Sequence, residues 1–238
     1  MYLLHSIKMF QEILEIFKYS KDIYHYMCRM AFIEFSRPMP AGSFVLDIEL
    51  FDKWSKNNRD GFGFVYDGIV VKNRYVAHSA FLRTRPNVYY QYLMLHLRKA
   101  SIPKDGEHPF RAWHSLVMHN GFIHNYKAIA KKYGYALKTG IDSEALVPLL
   151  KFTNEDIQKF FELVLQETKG ESRVNLIAIN TITKQYGMLS SGDAYSTVIP
   201  GMKILSSEAI NRESKLIQPG RYVIRILGRN SEALQDVV

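Results

Sequence analysis

Four short segments contain the residues of this sequence that could do chemistry: Met27-Cys28, HLRKAS at 96–101, HPF and HNG within 108–121, and IDSE at 141–144. Cys28 is the only cysteine in 238 residues. A lone cysteine is either an inert small apolar residue or a nucleophile. Each other segment also has an ordinary interpretation, because Asn-Gly commonly forms a turn and Asp142 or Ser143 could cap a helix.

The order and spacing of these segments resemble those of the class II glutamine amidotransferases, which are N-terminal-nucleophile hydrolases. The resemblance covers residues 27–227. Its matching features are Met-Cys-Arg, Asp-Gly-Phe-Gly, His-x-Arg-x-Ala-Ser, His-Pro-Phe, His-Asn-Gly-x-Ile-x-Asn-Tyr, Asp-Ser-Glu and a late Ser-Glu. The resemblance implies an enzyme that hydrolyses the glutamine side-chain amide to glutamate and ammonia.

The catalytic roles that the resemblance implies fall on three residues. Cys28 is the nucleophile that forms a γ-glutamyl thioester. Its own α-amino group is the general base, because an α-amine has a pKa of about 7.7–8.0 and an amide nitrogen has no basic lone pair. The side chain of Asn120 and the backbone N–H of Gly121 donate to the oxyanion of the tetrahedral intermediate.

Four residues are assigned to substrate binding by the same resemblance. Arg98 binds the α-carboxylate of glutamine through its forked guanidinium, and Asp142 binds the α-ammonium group. Ser101 and His108 match positions close to the substrate. Together these groups would select a free amino acid.

The remaining two histidines of the motifs, His96 and His119, are expected to be structural and hydrogen-bonded to the backbone. A zinc site built from His96, His108 and His119 is not expected, because no close pair of metal ligands accompanies them. We therefore expect no metal and no cofactor.

The position of Cys28 inside the chain conflicts with its role as a terminal residue. Met27 could be the true start, in which case methionine aminopeptidase would expose Cys28. Residues 1–27 could instead be a propeptide that the enzyme removes itself. In a third interpretation the extension stays in place and the protein is inactive.

The ammonia acceptor is not identified by the sequence. Residues after 227 are too few for a synthetase domain, so we expect either a separate ammonia-accepting synthetase subunit or a free-standing hydrolase of glutamine or another γ-glutamyl amide. The alternative is a non-catalytic, glutamine-binding regulatory subunit in which Cys28 is never exposed.

Composition sets the remaining expectations. Hydrophobic residues make up 47% of the chain and charged residues 23%, as in ordinary globular proteins. The net charge of +8 comes from scattered Lys and Arg, so neither specific nucleic acid binding nor membrane binding is expected. A single cysteine and no apolar run long enough to span a bilayer favour a cytoplasmic location.

Hydrophobic periodicity predicts the helices and strands on which these candidate residues lie. It predicts an amphipathic helix over 1–26, strands over 27–35, 62–66, 69–82, 89–97, 115–121, 173–181, 185–190, 203–210 and 220–227, and helices over 125–133, 143–152 and 154–169. The fold class is α+β, and the resemblance implies a four-layer αββα sandwich with Cys28 at the mouth of its first strand. We expect an extension over 1–27, one domain over 28–227 and a tail over 228–238.

Overall fold

The computed structural model describes residues 28–40, 58, 60–73, 89–99, 106–168, 172–207, 209 and 212–228. The expected N-terminal helix and extension lie outside these residues, and so does the expected tail beyond 228. The domain boundaries therefore stay predictions. Within the described ranges, no helix is both long enough and apolar enough to cross a membrane.

Two antiparallel sheets form the centre of the protein. Their strands are β1 (Arg29–Pro40), β2 (Phe62–Tyr66), β3 (Ile69–Asn73), β4 (Tyr89–Leu97), β5 (Phe110–Arg111), β6 (Ser115–Phe122), β7 (Arg173–Asn180), β8 (Gln185–Leu189), β9 (Tyr195–Ile199), β10 (Met202–Ser206), β11 (Lys215–Leu216) and β12 (Tyr222–Ile226). One sheet has the order β11-β9-β10-β1-β4-β2-β3, and the other has the order β12-β8-β7-β6-β5.

The helices of the described residues lie between β6 and β7 in the chain. They are α1 (Tyr126–Lys132), a 3-10 turn (Asp142–Ala145), α2 (Leu146–Phe152) and α3 (Ile157–Glu167). The apolar residues of α3 lie on one face, with Ile157, Phe160, Phe161 and Val164 fully buried. An amphipathic helix of this kind is stabilised mainly by packing its apolar face on a sheet.

One hydrophobic core lies between the two sheets. Its members come from both sheets, namely Met30, Phe32, Val65, Tyr92 and Met94 from the first and Leu116, Met118, Ile177, Ile179, Tyr186, Met188 and Val223 from the second. The rings of Phe32 and Tyr186 stack across the interface with centroids 4.1 Å apart. Burying one such side chain stabilises the fold by about 1.5–3 kcal/mol.

A second core lies between the five-stranded sheet and the helices, where Val117, Leu176 and Leu189 pack with the buried faces of α2 and α3. The two cores define three layers: sheet, sheet and helices. The α+β class with two antiparallel sheets is thereby confirmed. The fourth, helical layer stays a prediction, since the residues described here place no helix on the outer face of the seven-stranded sheet.

Most of the predicted strands and helices have counterparts at or near the expected positions. Strand β1 continues past its predicted end at 35 to Pro40, and the helix predicted over 143–152 begins at Leu146, after the 3-10 turn. The helix predicted over 154–169 begins only at Ile157, because Asn154 and Glu155 have positive φ angles of 50° and 60°. Asp156 caps this helix by accepting a hydrogen bond from Lys159 N at 3.1 Å. The short strands β5 and β11 were not predicted, and neither was β9, although its Thr-Val-Ile run is typical of a strand.

The segment Asp60–Gly63 contains two glycines whose backbones approach other parts of the chain. Gly61 has a φ of 142°, which side-chain-bearing residues rarely adopt. Gly63 lies on β2 opposite His96, and a Cβ built on it would overlap the carbonyl oxygen of His108. Glycine at 63 therefore allows the His108 backbone to pack directly on β2.

We expect Gly63→Ala to lower the free energy of unfolding by about 1–3 kcal/mol, because the added methyl group would force the His108 backbone away from β2. Gly192→Ala is the matched control, since a Cβ there would meet only the Arg173 guanidinium at an ordinary 3.8 Å. Urea unfolding of the two variants measures the difference. Equal stability of the two variants would contradict the proposed close approach.

Candidate functional site

The Cys28 thiol lies at the head of β1, against the backbone of Lys99. Its Sγ accepts a hydrogen bond from Lys99 N at 3.3 Å and donates to Lys99 O at 3.5 Å. Both partners are backbone atoms, so the contact does not depend on the lysine side chain. Because Lys99 directly follows Arg98, the thiol and the expected carboxylate-binding residue lie on neighbouring segments.

Several opposing effects set the acidity of this thiol. Burial raises the pKa of Cys28 above its ordinary value. The hydrogen bond from Lys99 and the positive charges of Arg98 and Arg29 act in the other direction without cancelling it. The thiol is therefore protonated at neutral pH, and its attack on an amide would require a base.

Arg98 is 6% exposed and directly follows β4. Its backbone is fixed on both sides, since Arg98 N donates to Gly61 O at 2.8 Å and Arg98 O accepts from Asp60 N at 3.2 Å. The Asp-Gly-Phe-Gly motif thus positions the arginine. The guanidinium NH1 lies 3.8 Å from Oε1 of Glu107, a residue that the sequence interpretation did not assign to the site.

Asn120 lies on the face of β6 that is turned toward the other sheet. Leu116 and Met118 pack between the sheets while Val117 packs on the helices, and strand side chains alternate, so Asn120 shares the inter-sheet face. It is 4% exposed. In the part of the chain that the structure describes, no hydrogen bond engages its side-chain amide.

Gly121 follows Asn120 with a φ of 144°. A Cβ at this position would overlap the carbonyl oxygen of Arg173 on the neighbouring strand. The position therefore requires glycine, and the backbone next to Asn120 is left without a side chain that could cover it.

A buried histidine joins the two sheets beside these residues. His96 of β4 makes a 3.1 Å hydrogen bond through Nε2 with the carbonyl oxygen of His119 on β6. Burial lowers the pKa of His96 to about 3, so the ring is neutral and Nε2 carries its proton. The segment of Arg98 and the segment of Asn120 are thereby connected.

His119 is also neutral and points toward the helical layer. Burial lowers its pKa, although the nearby Asp142 acts in the opposite direction. Its Nε2 donates to Arg173 O at 3.3 Å, so its Nδ1 accepts from the Ser143 hydroxyl at 2.8 Å. The 3.9 Å separation between His119 Nδ1 and Asp142 Oδ2 is therefore not an ion pair. The two histidines expected to be structural both make backbone hydrogen bonds.

Asp142 and Ser143 do not cap a helix, since neither side chain bonds the first turn that follows Ile141. Asp142 Oδ2 instead accepts from the backbone N–H of Ile123 at 2.7 Å, just beyond β6. This bond holds the Asp142 carboxylate at the end of the strand that carries Asn120 and Gly121.

Glu144 of the same Asp-Ser-Glu motif is a buried structural residue. Its carboxylate accepts hydrogen bonds from Lys138 N, from Thr139 N and Oγ1, and from the Tyr135 hydroxyl at 2.8–3.2 Å. It thus fastens the loop before the 3-10 turn and fixes the backbone on which Asp142 lies.

His108 is buried beside the inter-sheet histidine. Its ring contacts that of His96 with centroids 4.1 Å apart and the planes tilted by 34°, and it meets Phe110 edge-on at 5.1 Å. Neither of its ring nitrogens has a hydrogen-bond partner among the described residues, and burial lowers its pKa well below the ordinary value. In the same ranges, no group of three or more His, Cys, Asp or Glu side chains could hold a metal ion.

Two further residues complete the arrangement, and one expected residue cannot be placed. Ser207 Oγ accepts a hydrogen bond from Met30 N at 3.1 Å, and this bond fixes β1 two residues after Cys28. In the sequence, Ser207 was marked only by the late Ser-Glu motif. Glu107 directly precedes His-Pro-Phe in a charged loop, which was its only signal. Ser101 lies outside the described residues.

Comparisons with known proteins identify the fold. No protein-family model matches the sequence, and no curated protein matches it. Among solved structures, the chain is similar to glutamine phosphoribosylpyrophosphate (PRPP) amidotransferase from B. subtilis, complexed with ADP and GMP, with a TM-score of 0.63 and 15% identity. The match covers 83% of this chain and 47% of that one, so this chain spans about half of that protein's length.

A second match is a predicted glutamine amidotransferase from Pseudomonas aeruginosa PA01, with a TM-score of 0.47 and 14% identity over 86% of this chain and 98% of that one. This TM-score is too low to support an argument. The first match shows that the chain shares the fold of a glutamine amidotransferase, as the motifs predicted.

The hydrogen bonds to Glu144 predict how stability depends on pH. Burial alone would raise the pKa of Glu144, but the bonds from Thr139, Lys138 and Tyr135 outweigh it and hold the pKa below its ordinary 4.5. A carboxyl group whose pKa is lower in the folded state than in the unfolded state stabilises the fold. This stabilisation is fully present at a pH above the pKa of the unfolded state and is lost as the pH falls through the pKa of the folded state.

We therefore expect the urea concentration at the unfolding midpoint of the wild type to decrease as the pH is lowered below about 4.5. Glu144→Gln should be less stable than the wild type at pH 7 and should lose less stability than the wild type on acidification. Glu213→Gln, on an exposed turn, should follow the wild type. A Glu144→Gln profile parallel to the wild type would refute this role.

Proposed function

We propose that the chain is a glutamine amidohydrolase of the N-terminal-nucleophile type, active in a form that begins at Cys28. The observation that carries the proposal is the Cys28 thiol held against the Lys99 backbone beside the charge of Arg98. The shared fold supports it, because the solved structure with that fold is named as an amidotransferase that uses glutamine.

The nucleophile requires a base in this mechanism. The raised pKa of the Cys28 thiol leaves it protonated near neutral pH. The α-amine of a terminal Cys28, with a pKa of about 7.7–8.0, takes that proton directly or through a water molecule. As long as a peptide bond joins Met27 to Cys28, this base does not exist.

The reaction then proceeds in two halves. Sulfur attacks the side-chain carbonyl carbon of glutamine, and the oxyanion accepts hydrogen bonds from the Asn120 amide and the Gly121 N–H. The C–N bond breaks, the α-ammonium of Cys28 returns the proton to the leaving nitrogen, and ammonia departs. Water hydrolyses the γ-glutamyl thioester to glutamate and restores the thiol.

Substrate binding follows from the charged groups of the site. Arg98 binds the α-carboxylate of glutamine and Asp142 binds its α-ammonium group, and His108 and Ser101 also take part in substrate binding. The hydrogen bond from Ile123 to Asp142 supports this role, because it holds the carboxylate beside the strand end that carries the oxyanion donors.

We also propose two wider features. A helical layer covers the outer face of the seven-stranded sheet and completes a four-layer αββα sandwich. In support, Ala31, Ile33 and Phe35 of β1 point to that face and are at most 6% exposed. The ammonia acceptor is a separate synthetase subunit in the cytoplasm, or the protein acts as a free-standing hydrolase.

The decisive prediction concerns the N-terminus. A form beginning at Cys28 should release glutamate and ammonia from glutamine, whereas the 1–238 chain, shown by mass spectrometry to be uncleaved, should not. Cys28→Ala in the shorter form should be folded and inactive. Comparable activity in the uncleaved chain would refute the mechanism and leave the non-catalytic alternative or another nucleophile.

A second prediction concerns the oxyanion. Asn120→Ala should lower kcat by about 10²–10³ with little change in KM, because the lost donor acts mainly in the transition state. Asn180→Ala on β7 is the matched control: its amide bonds Glu155 O and its Oδ1 accepts from Ile182 N, so that variant should lose stability rather than kcat. An unchanged kcat in Asn120→Ala would remove Asn120 from the mechanism.

A further inference from the structure

Glu107 has a carboxylate oxygen that is buried without a hydrogen bond. Its Oε1 finds no hydrogen-bond partner in the described ranges, while its Oε2 accepts from Gly106 N at 3.3 Å. Among the residues that the structure describes, the nearest cation is Arg98, whose NH1 lies 3.8 Å from Oε1. The side chains of Arg98 and Glu107 are only 7% and 15% exposed.

The separation of this pair is too long for a charge-assisted hydrogen bond, which has an N···O distance of about 2.7–2.9 Å. A buried acceptor without a donor is costly, so the arrangement favours a ligand that supplies one. The guanidinium of Arg98 and the free oxygen of Glu107 offer a donor set and an acceptor side by side. A molecule with a cationic donor next to an anion would supply the donor that Glu107 Oε1 lacks and place its anion beside Arg98.

An α-amino acid has that geometry. Its ammonium nitrogen and its carboxylate carbon are bonded to one Cα, each through a bond of about 1.5 Å. A carboxylate held by Arg98 would therefore place the ammonium group within reach of a neighbouring acceptor. Glu107 Oε1 is such an acceptor.

The position of Glu107 relative to Asp142 is also fixed. A Cβ built on Gly106 would lie 2.5 Å from the Ile141 side chain, so the segment before Glu107 packs closely against the residue before Asp142. Asp142 Oδ2 is already engaged by Ile123 N, whereas Glu107 Oε1 is not engaged. Each carboxylate has one oxygen bound to a backbone N–H, and the two lie on adjoining segments.

We propose that Glu107 is a specificity-determining residue whose Oε1 accepts a hydrogen bond from the α-ammonium group of the substrate, beside the Arg98 that holds the α-carboxylate. The inference rests on the proposed function and deepens it. Its consequence is that Glu107 contributes to the discrimination between glutamine and substrates acylated at the α-nitrogen.

The test compares L-glutamine with N-α-acetyl-L-glutamine in the form that begins at Cys28. The wild type should favour glutamine in kcat/KM. Glu107→Gln keeps the side-chain shape and removes the negative charge, so the ratio of the two kcat/KM values should fall about tenfold or more. Glu162→Gln is the matched control, since Glu162 binds the Tyr222 hydroxyl and Gln158 in the helical layer, and its ratio should stay at the wild-type value.

Two results would overturn the assignment. An unchanged ratio in Glu107→Gln would show that the α-amino group is recognised elsewhere. An equal loss for both substrates would show that Glu107 only positions Arg98. Asp142→Asn, measured in parallel, gives the contribution of the Asp142 carboxylate to the ratio of the two kcat/KM values.

The failure of the proposed function has a different signature. If the wild-type form releases ammonia from neither substrate, calorimetric dissociation constants for glutamine and N-α-acetyl-L-glutamine replace the kinetic ratio. A preference for glutamine that Glu107→Gln removes would then support Glu107 without catalysis. No binding of either compound would overturn both proposals.

Discussion

One hydrogen bond between the sheets determines the geometry of the site. His96 Nε2 on one sheet donates to the His119 carbonyl oxygen on the other, at 3.1 Å. Burial keeps His96 neutral, with a pKa of about 3, so the bond persists across physiological pH and adds no charge beside Arg98. The segment of Arg98 on one sheet and the segment of Asn120 on the other are thereby held together.

Much of the fold follows from sequence because local signals and tertiary packing agree. The apolar runs of β1, β4 and β6 predicted strands at or near their observed positions. Other features escaped prediction for physical reasons. Asn154 and Glu155 adopt positive φ angles that delay the start of α3, and β9 depends on pairing with β10, which a local pattern does not reveal.

The site was predictable to a different extent. Motif order predicted roles for Cys28, Arg98, Asn120 and Asp142, and the structure gives Asp142 a backbone partner in place of the alternative role as a helix cap. The role proposed for Glu107 was not predictable, because it arises from a distance of 3.8 Å to Arg98 across a loop. Charges that meet only through tertiary packing leave no periodic signal.

The most direct test of the central claim is covalent labelling with the glutamine analogue 6-diazo-5-oxo-norleucine, followed by intact mass measurement and peptide mapping. In the form that begins at Cys28, we expect one adduct, on the Cys28 peptide, whose formation free glutamine slows. In the uncleaved chain we expect no adduct. Labelling at another residue, or equal labelling rates in the two forms, would contradict a nucleophile that depends on its own terminal amine.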